Sequence, residues 1–377
     1  MVHSVNLIPS LDLAQQYASI QAEISDAVLG VLASGGYIGG SPVKEFEQQF
    51  ATYVGTSECV ACNSGTDALY LALRALEIGP GDEVITTPFT FFATAEVVSA
   101  VGATPVFVDI DAQTFNLDLK QVITAITEKT KAIIPVHLFG QPVDMSALMA
   151  TARSHQLVVI EDCAQSAGAE WMGQKVGSIG HIGCFSFYPT KNLGACGDGG
   201  AATTNDPTLA AKMRMLRQHG EKASYHHQEI GVNSRLDTLQ AAILQVKLRY
   251  LDTWNNQRRA IAVRYNQFLK VVPSLVTPQL STEGVWNQYT IRISSDQGDG
   301  TERDNVRHRL QQRGVSSTVY YPRPLHLQPV YKDLGYQLAH APVAEQACHE
   351  VLSLPIFPEL SIEQQEQVIY SLKDCVN

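Results

Sequence analysis

Apolar positions along the chain recur in two rhythms. Tyr17, Ile20, Ile24, Val28 and Val31 fall at helical spacing and predict an amphipathic N-terminal helix. Short strand-like runs follow at 83–87, 104–109, 131–136, 157–161, 182–187 and 200–204, alternating with stretches of helical period. That alternation predicts an α/β fold with a doubly wound, mostly parallel sheet. From Arg235 to about Gln267 the pattern reads as long helices, with Leu236, Leu239, Ala242, Ile243, Val246 and Tyr250 on one face. Beyond Pro273 shorter strands and helices with several prolines predict a smaller C-terminal α/β lobe. The expected division is 1–250, an N-terminal helix plus a large domain, and 251–377, a small domain packed tightly against it. No internal repeat, low-complexity tract or long linker interrupts the pattern.

Composition narrows the class. The chain has 377 residues, enough for a large core. No apolar run reaches the roughly 18 residues a membrane span requires, and the N-terminus lacks a signal-peptide apolar region. A soluble, cytoplasmic protein is therefore expected. A net charge of −10 argues against general nucleic-acid binding, so an anionic ligand would need locally placed arginines. Seven cysteines, an odd number scattered through core-like strands, read as reduced thiols. Cys59 and Cys62 form a C-x-x-C without a second pair at zinc-ribbon spacing, so burial is expected and no metal site.

Candidate chemistry centres on Lys191, in Ser186-Phe187-Tyr188-Pro189-Thr190-Lys191-Asn192 before the glycine-rich Gly197-Asp198-Gly199-Gly200. A lysine among small and aromatic residues, in a partly desolvated site, can lose its proton and form an imine with an aldehyde. The cofactor that uses such a lysine is pyridoxal phosphate (PLP). Read alone, the same lysine also fits an ordinary surface loop. Asp162 closes the buried run 157–161; ligands of open α/β sheets bind at such carboxyl ends, and a carboxylate there can pair with a protonated pyridine nitrogen. Its other reading is a solvated strand end or a helix cap. Gln165, slightly beyond, is placed to hydrogen-bond a phenolic oxygen.

Two further segments fit the same ligand. A short strand, Cys59 to Ala61, runs into Asn63-Ser64-Gly65-Thr66-Asp67, which opens a helix carrying Leu69, Leu71, Ala72, Leu73 and Leu76. Free N–H groups at a helix start, with the Ser64 and Thr66 hydroxyls, make a phosphate cradle, although a plain N-cap explains them too. Neither a Walker P-loop nor a dinucleotide fingerprint is present. Pro88-Phe89-Thr90-Phe91-Phe92-Ala93-Thr94 offers an aromatic to stack on a pyridine face, or core packing.

Together these segments resemble fold-type-I PLP-dependent transferases, and within them the DegT-like sugar-nucleotide aminotransferases. The resemblance covers nearly the whole chain. It begins at Gly35-Gly36-Tyr37-Ile38-Gly39-Gly40, continues through the segments above and Gly231-Val232-Asn233-Ser234-Arg235-Leu236-Asp237, and closes at Tyr320-Tyr321-Pro322-Arg323. It implies that Lys191 forms the imine and shuttles a proton, Asp162 keeps the ring nitrogen protonated, and Gln165 contacts the phenolic oxygen. Gly65, Thr66 and Ser186 would bind the phosphate, Phe91 would stack on the ring, and Asn233 would reach in from a partner subunit of a homodimer with shared sites. Gly35, Tyr37, Thr190, Arg235, Tyr320 and Tyr321 match positions that line the sugar-nucleotide pocket. Tyr320 stands where close relatives carry His, and Tyr320 and Tyr321 also read as lobe-interface packing.

The implied reaction moves an amino group from glutamate to a keto-sugar nucleotide, linked to UDP or dTDP, for surface-polysaccharide (lipopolysaccharide) precursors. Ser234-Arg235-Leu236-Asp237, with Tyr225-His226-His227 upstream, resembles the branch that aminates C3. The enzymes acting on UDP-2-acetamido-2-deoxy-3-oxo-glucuronate are the nearest in look. Arg235 is then the first candidate partner for a C6 carboxylate; His226 and His227 also read as solvated loop residues. Competing readings are a C4-acting aminotransferase, a PLP sugar dehydratase, and a catalytically silent regulator of the same fold. The dehydratases replace the imine lysine with histidine, whereas Lys191 is present; a silent regulator would be expected to lose Lys191, Asp162 or the cradle.

Overall fold

The computed structural model describes residues 7–294 and 298–376. Its centre is a seven-stranded sheet in the order Glu58–Cys62, Gly200–Thr204, Ile182–Ser186, Val158–Asp162, Thr130–Ile134, Glu83–Thr86, Thr104–Phe107. Every neighbouring pair is parallel except the two made by Gly200–Thr204, which runs against both flanking strands. The mostly parallel sheet read from the alternating pattern is what forms. Four of the strands are near-continuous runs of buried residues because helices cover both faces. Val60, Val84, Ala132, Ile134 and Ile160 pack with the helix Gly65–Ala75 on one side. Ile85, Ile133 and Val159 face Leu148 of the helix Met145–Ser154 on the other.

This topology decides where chemistry can sit. The strands Glu83–Thr86, Thr130–Ile134, Val158–Asp162 and Ile182–Ser186 are mutually parallel, so their carboxyl ends share one edge. The reversed strand brings its first residue, Gly200, to that edge opposite Ser186 and Cys62. The segments after each strand therefore converge.

C-terminally, Leu275–Val276, Tyr289–Ile293 and Val351–Leu354 form a small antiparallel sheet. It packs with the helices Leu251–Leu269, Thr301–Gln312 and Ile362–Val376 around Trp286, Tyr265 and Tyr289. Ile8 pairs with Val315 and enters the same core. Among the described residues no helix is long and apolar enough to cross a membrane. All seven cysteines are unpaired, and Cys59 and Cys62 are buried.

One helical expectation is corrected and another is refined in its bounds. The N-terminal periodicity resolves into two helices, Leu13–Ser19 and Gln21–Ser34, broken at Ile20. Ile20 and Ile24 pack with Ile243, Val246 and Trp254, whereas Tyr17 lies exposed. The long helical stretch from Arg235 starts only at Thr238 and breaks after Leu248, restarting at Leu251. No glycine or proline marks either break. Tertiary packing makes them: Tyr250 stacks on Trp254 with ring centres 5.7 Å apart, and both join the cluster that buries Ile20.

Candidate active site

Strand alternation turns the acidic pair at the end of Val158–Asp162 to opposite faces. Glu161 is fully buried and surrounded by donors. Its Oε1 accepts from the N–H groups of Ile179 at 2.9 Å and Gly180 at 2.6 Å, and Oε2 from Gly177 at 2.9 Å. Val143 N–H donates to His137 Nδ1 at 3.0 Å, so the imidazole proton sits on Nε2, 3.0 Å from Glu161 Oε2. His137, Glu161 and Cys163 lie close enough together to suggest a metal trio. Both ring nitrogens and both carboxylate oxygens are already engaged, however, which leaves only the thiol of Cys163. Glu161 is structural: it fastens the Gly177–Gly180 turn under the sheet.

Asp162 faces the other way, to the edge where the segments converge. It is buried, and among the described residues two donors reach it: Thr94 Oγ1 to Oδ2 at 2.8 Å and the Ala164 N–H to Oδ1 at 3.1 Å. Burial pushes its carboxyl pKa upward, against the Thr94 and Ala164 hydrogen bonds and the charges of Lys191 and His137. A carboxylate so placed has spare lone pairs and too little compensating charge, and a cationic ring N–H would supply both.

Lys191 follows the neighbouring parallel strand, after a turn closed by its own N–H donating to the Tyr188 carbonyl at 2.9 Å. Burial pulls its ammonium pKa down to about 8, against the opposing pull of the Asp162 charge. Its neighbour Asn192 anchors the loop. Asn192 Nδ2 donates to Asn255 Oδ1 at 2.7 Å and to the Val285 carbonyl at 2.9 Å, and Asn287 Nδ2 donates to Asn192 Oδ1 at 2.7 Å. Asn255 in turn donates to the Ala167 carbonyl at 3.0 Å, five residues beyond Asp162.

The helix Gly65–Ala75 opens with Ser64 as N-cap, its hydroxyl accepting from Asp67 N–H at 3.1 Å. The first turn is pressed against the sheet edge. A Cβ on Gly65 would lie 2.7 Å from the Ser186 Cβ, and one on Gly200 only 2.3 Å from the Ser64 carbonyl group. Glycine is required at both positions so that Gly65, Thr66 and Ser186 can meet. Gln165 sits nearby. Its Oε1 accepts from Phe139 N–H at 2.6 Å and its Nε2 donates to the Tyr321 hydroxyl at 3.1 Å, fixing the amide's orientation.

The aromatic segment divides. Phe89 is fully buried against Phe115, Phe139 and Tyr321, while Phe91 is 60% exposed, its ring free to cover a ligand. Tyr320 and Thr190 line one small cavity. The remaining expected residues gather elsewhere. Ser234 is buried and its hydroxyl donates to Asn63 Oδ1 at 3.2 Å, beside the cradle, leaving Asn233 exposed and Arg235 half-buried. Thr238 N–H donates to the Tyr37 carbonyl at 3.0 Å, so the Gly35–Tyr37 segment lies against this same strip. Among the described residues no hydrogen bond or ion pair joins Gly35, Tyr37, Asn233 or Arg235 to Lys191 or Asp162. His226 and His227 form an exposed two-residue strand.

Several contributors went unread in the sequence. Thr94 stands in a segment read only for its aromatics, and Phe139 follows a strand whose carboxyl end carries no charged signal. Asn192 was hidden by its neighbour.

A model of the DegT/DnrJ/EryC1/StrS aminotransferase family matches residues 18–373. A Geobacillus stearothermophilus protein named pleiotropic regulatory protein is 49% identical over 97% of this chain and 98% of its own. The UDP-N-acetyl-3-dehydro-alpha-D-glucosamine 3-aminotransferase of Acidithiobacillus ferrooxidans is 47% identical over 95% of each chain. The UDP-2-acetamido-2-deoxy-3-oxo-D-glucuronate aminotransferase of Pseudomonas aeruginosa is 44% identical over 94% of this chain and 96% of its own. Among solved structures, DesV of S. venezuelae, in complex with a ketimine intermediate, superposes with a TM-score of 0.95 at 42% identity over 99% of both chains.

The Lys191 amine should titrate far below an ordinary lysine. Modification by an amine-directed reagent, followed by peptide mass spectrometry, should rise to half its maximum near pH 8 at Lys191, whereas exposed lysines follow above pH 10. Because the Asp162 charge raises the Lys191 pKa, Asp162→Asn should move that midpoint lower. A Lys191 profile matching surface lysines would contradict the desolvated site.

Proposed function

The chain belongs to the DegT/DnrJ/EryC1/StrS aminotransferase family, and on that premise we propose that it aminates C3 of a UDP-linked 3-keto sugar with glutamate as donor. It is a PLP-dependent sugar aminotransferase. The residues present fit that cofactor. Gly65 and Gly200, lacking a Cβ, let the helix start with its free N–H groups press against Ser186 and the sheet edge; Asp162 is a buried carboxylate short of positive charge; and Lys191 is a half-buried, desolvated amine. That amine near Asp162 is the observation that carries the reading.

Bound there, PLP supplies an electron sink for the pair released when a C–H bond breaks. The chain's own residues do the rest. Gly65, Thr66 and Ser186 would hold the phosphate, Asp162 would keep a ring nitrogen protonated, and the Gln165 amide would orient the phenolic oxygen. Phe91 would cover one face. With a pKa brought down to about 8, the Lys191 amine is free often enough near neutral pH to attach the cofactor, and balanced enough to take up and return a proton.

The C3 assignment is supported by relatives whose names specify 3-amino or 3-oxo sugars. Within the chain Ser234 is buried against Asn63, and its neighbour Arg235 supports the reading. Arg235 makes no ion pair among the described residues and its Nε is buried without a partner, which suits a bidentate carboxylate such as the C6 group of a 3-oxo-glucuronate. The product would feed surface-polysaccharide synthesis. One relative is named a regulator, but a silent regulator has no use for Lys191, Asp162 and the cradle together.

The exposed strip supports a homodimer with shared sites. Tyr37 and Ile38 are 49% and 57% exposed, Phe91 is open, and Asn233 points outward beside the cradle. A two-fold contact would cover these apolar groups and carry Asn233 and Arg235 into the partner's site.

Two experiments test these points. Offered glutamate and a panel of 3-keto and 4-keto sugar nucleotides, the enzyme should yield the amino-sugar mass only from the 3-keto set, with the uronate turned over faster than the neutral sugar. Turnover of 4-keto sugars alone would overturn the C3 assignment. Mixing inactive Lys191→Ala subunits with inactive Arg235→Ala subunits should restore part of the activity, with about half of the sites intact in verified mixed dimers and about a quarter in the whole equimolar mixture if exchange is random. No recovery would mean each site is built within one chain.

A further inference from the structure

Arg258 is the feature that the site described above does not use. It lies on the helix Leu251–Leu269, is 2% exposed, and forms no ion pair among the described residues. Nη1 alone is satisfied, donating to the Ile356 carbonyl at 2.8 Å and, at 3.4 and 3.5 Å, to those of Trp286 and Asn287. Nε is buried without a partner. The acidic group whose charge reaches it, Glu359, makes no ion pair with it, and its own Oε2 is unpartnered. A buried guanidinium held by carbonyls but not neutralised is costly to desolvate, and such a cost is retained where a ligand supplies the missing charge.

That guanidinium borders a cavity of about 120 Å³ shared with Thr190, Asn287, Gln288 and Tyr320. Thr190 is the residue immediately before Lys191, so the cavity borders the loop that carries the reacting amine. Gln288 Oε1 is buried there with no donor; a half-turn of that amide would present its N–H₂ instead. The cavity has room for a carboxylate with one or two methylenes.

We propose that Arg258 and Gln288 form the carboxylate-binding subsite for the amino donor, an α-amino dicarboxylate, placing its amine beside Lys191. This rests on the donor reading given under the proposed function and deepens it. The uncharged walls and single guanidinium fit one carboxylate, bound bidentately through Nε and Nη2, the two positions that Nη1's carbonyl contacts leave free. Donor and sugar would then use different arginines, Arg258 and Arg235.

The test follows conversion of the yellow PLP-loaded protein by L-glutamate in the absence of sugar, with glutarate as a competitor that lacks the amine. Wild type should convert, and glutarate should inhibit competitively. Gln288→Glu places a resident carboxylate in the cavity and should raise the half-saturating glutamate concentration about tenfold or more and abolish glutarate inhibition; Arg258→Gln should do the same if it folds. Thermal unfolding and retention of the yellow colour report whether each variant is intact. An intact Gln288→Glu protein with unchanged glutamate dependence would overturn the subsite while leaving the donor reading in place. Failure of glutamate to convert wild type, where another amino donor succeeds, would remove the donor reading and this subsite with it.

Discussion

Asp162 and Lys191 hold opposite charges in one poorly hydrated space, and the rest of the site is arranged around that constraint. Neither group is comfortable alone. Burial drives the carboxyl pKa up and the ammonium pKa down, and each charge only partly offsets the other's loss of water. Fully paired and wetted, the two would form an ordinary salt bridge with an inert amine. Half-paired, they leave an amine that deprotonates near pH 8 and a carboxylate in want of a cation.

Holding such a pair requires rigidity, and the fold supplies it through buried amides and carboxylates. Glu161, one residue away and facing the opposite side, takes up three backbone N–H groups and the His137 ring proton, which locks the strand end that Asp162 shares. Charge-assisted bonds of this kind contribute roughly 1.5–3 kcal/mol each. On the lysine side, the Asn192–Asn255–Asn287 network ties the loop to the helix Leu251–Leu269, to the segment before the strand Tyr289–Ile293 and to Ala167. The backbone of Asn287 also donates to the Phe139 carbonyl, and Phe139 N–H orients Gln165. The segment Trp286–Gln288 thus braces both the lysine loop and the amide expected to contact the ring. Motion of the segment Trp286–Gln288 would be felt at both.

Much of this was legible in the sequence, for a physical reason. Lys191, Asp162 and the Ser64–Thr66 cradle lie in runs whose chemistry is local: a buried strand ending in acid, a small-residue turn opening a helix, a lysine before glycines. The parallel sheet was legible because strands buried on both faces are continuous apolar runs. What remained hidden depends on register between distant segments. Thr94 matters because the loop after Glu83–Thr86 passes over the end of Val158–Asp162, a contact 68 residues apart in sequence. His137 and Glu161 meet across neighbouring strands, 24 residues apart. The helix breaks at Ile20 and Tyr250 carry no glycine or proline, because burial of Ile20 against Trp254 sets them. The buried Arg258 was invisible, since its lack of a counter-ion is a property of packing and not of spacing.

The account stands or falls on Lys191 being the residue that holds the cofactor in this desolvated space. Borohydride reduction of the PLP-loaded protein, followed by proteolysis and mass spectrometry, addresses it most directly. The account requires the phosphopyridoxyl group on the peptide carrying Lys191, with Lys191→Ala leaving no reduced adduct. Attachment to another lysine in the wild-type protein, or no covalent adduct at all, would contradict it.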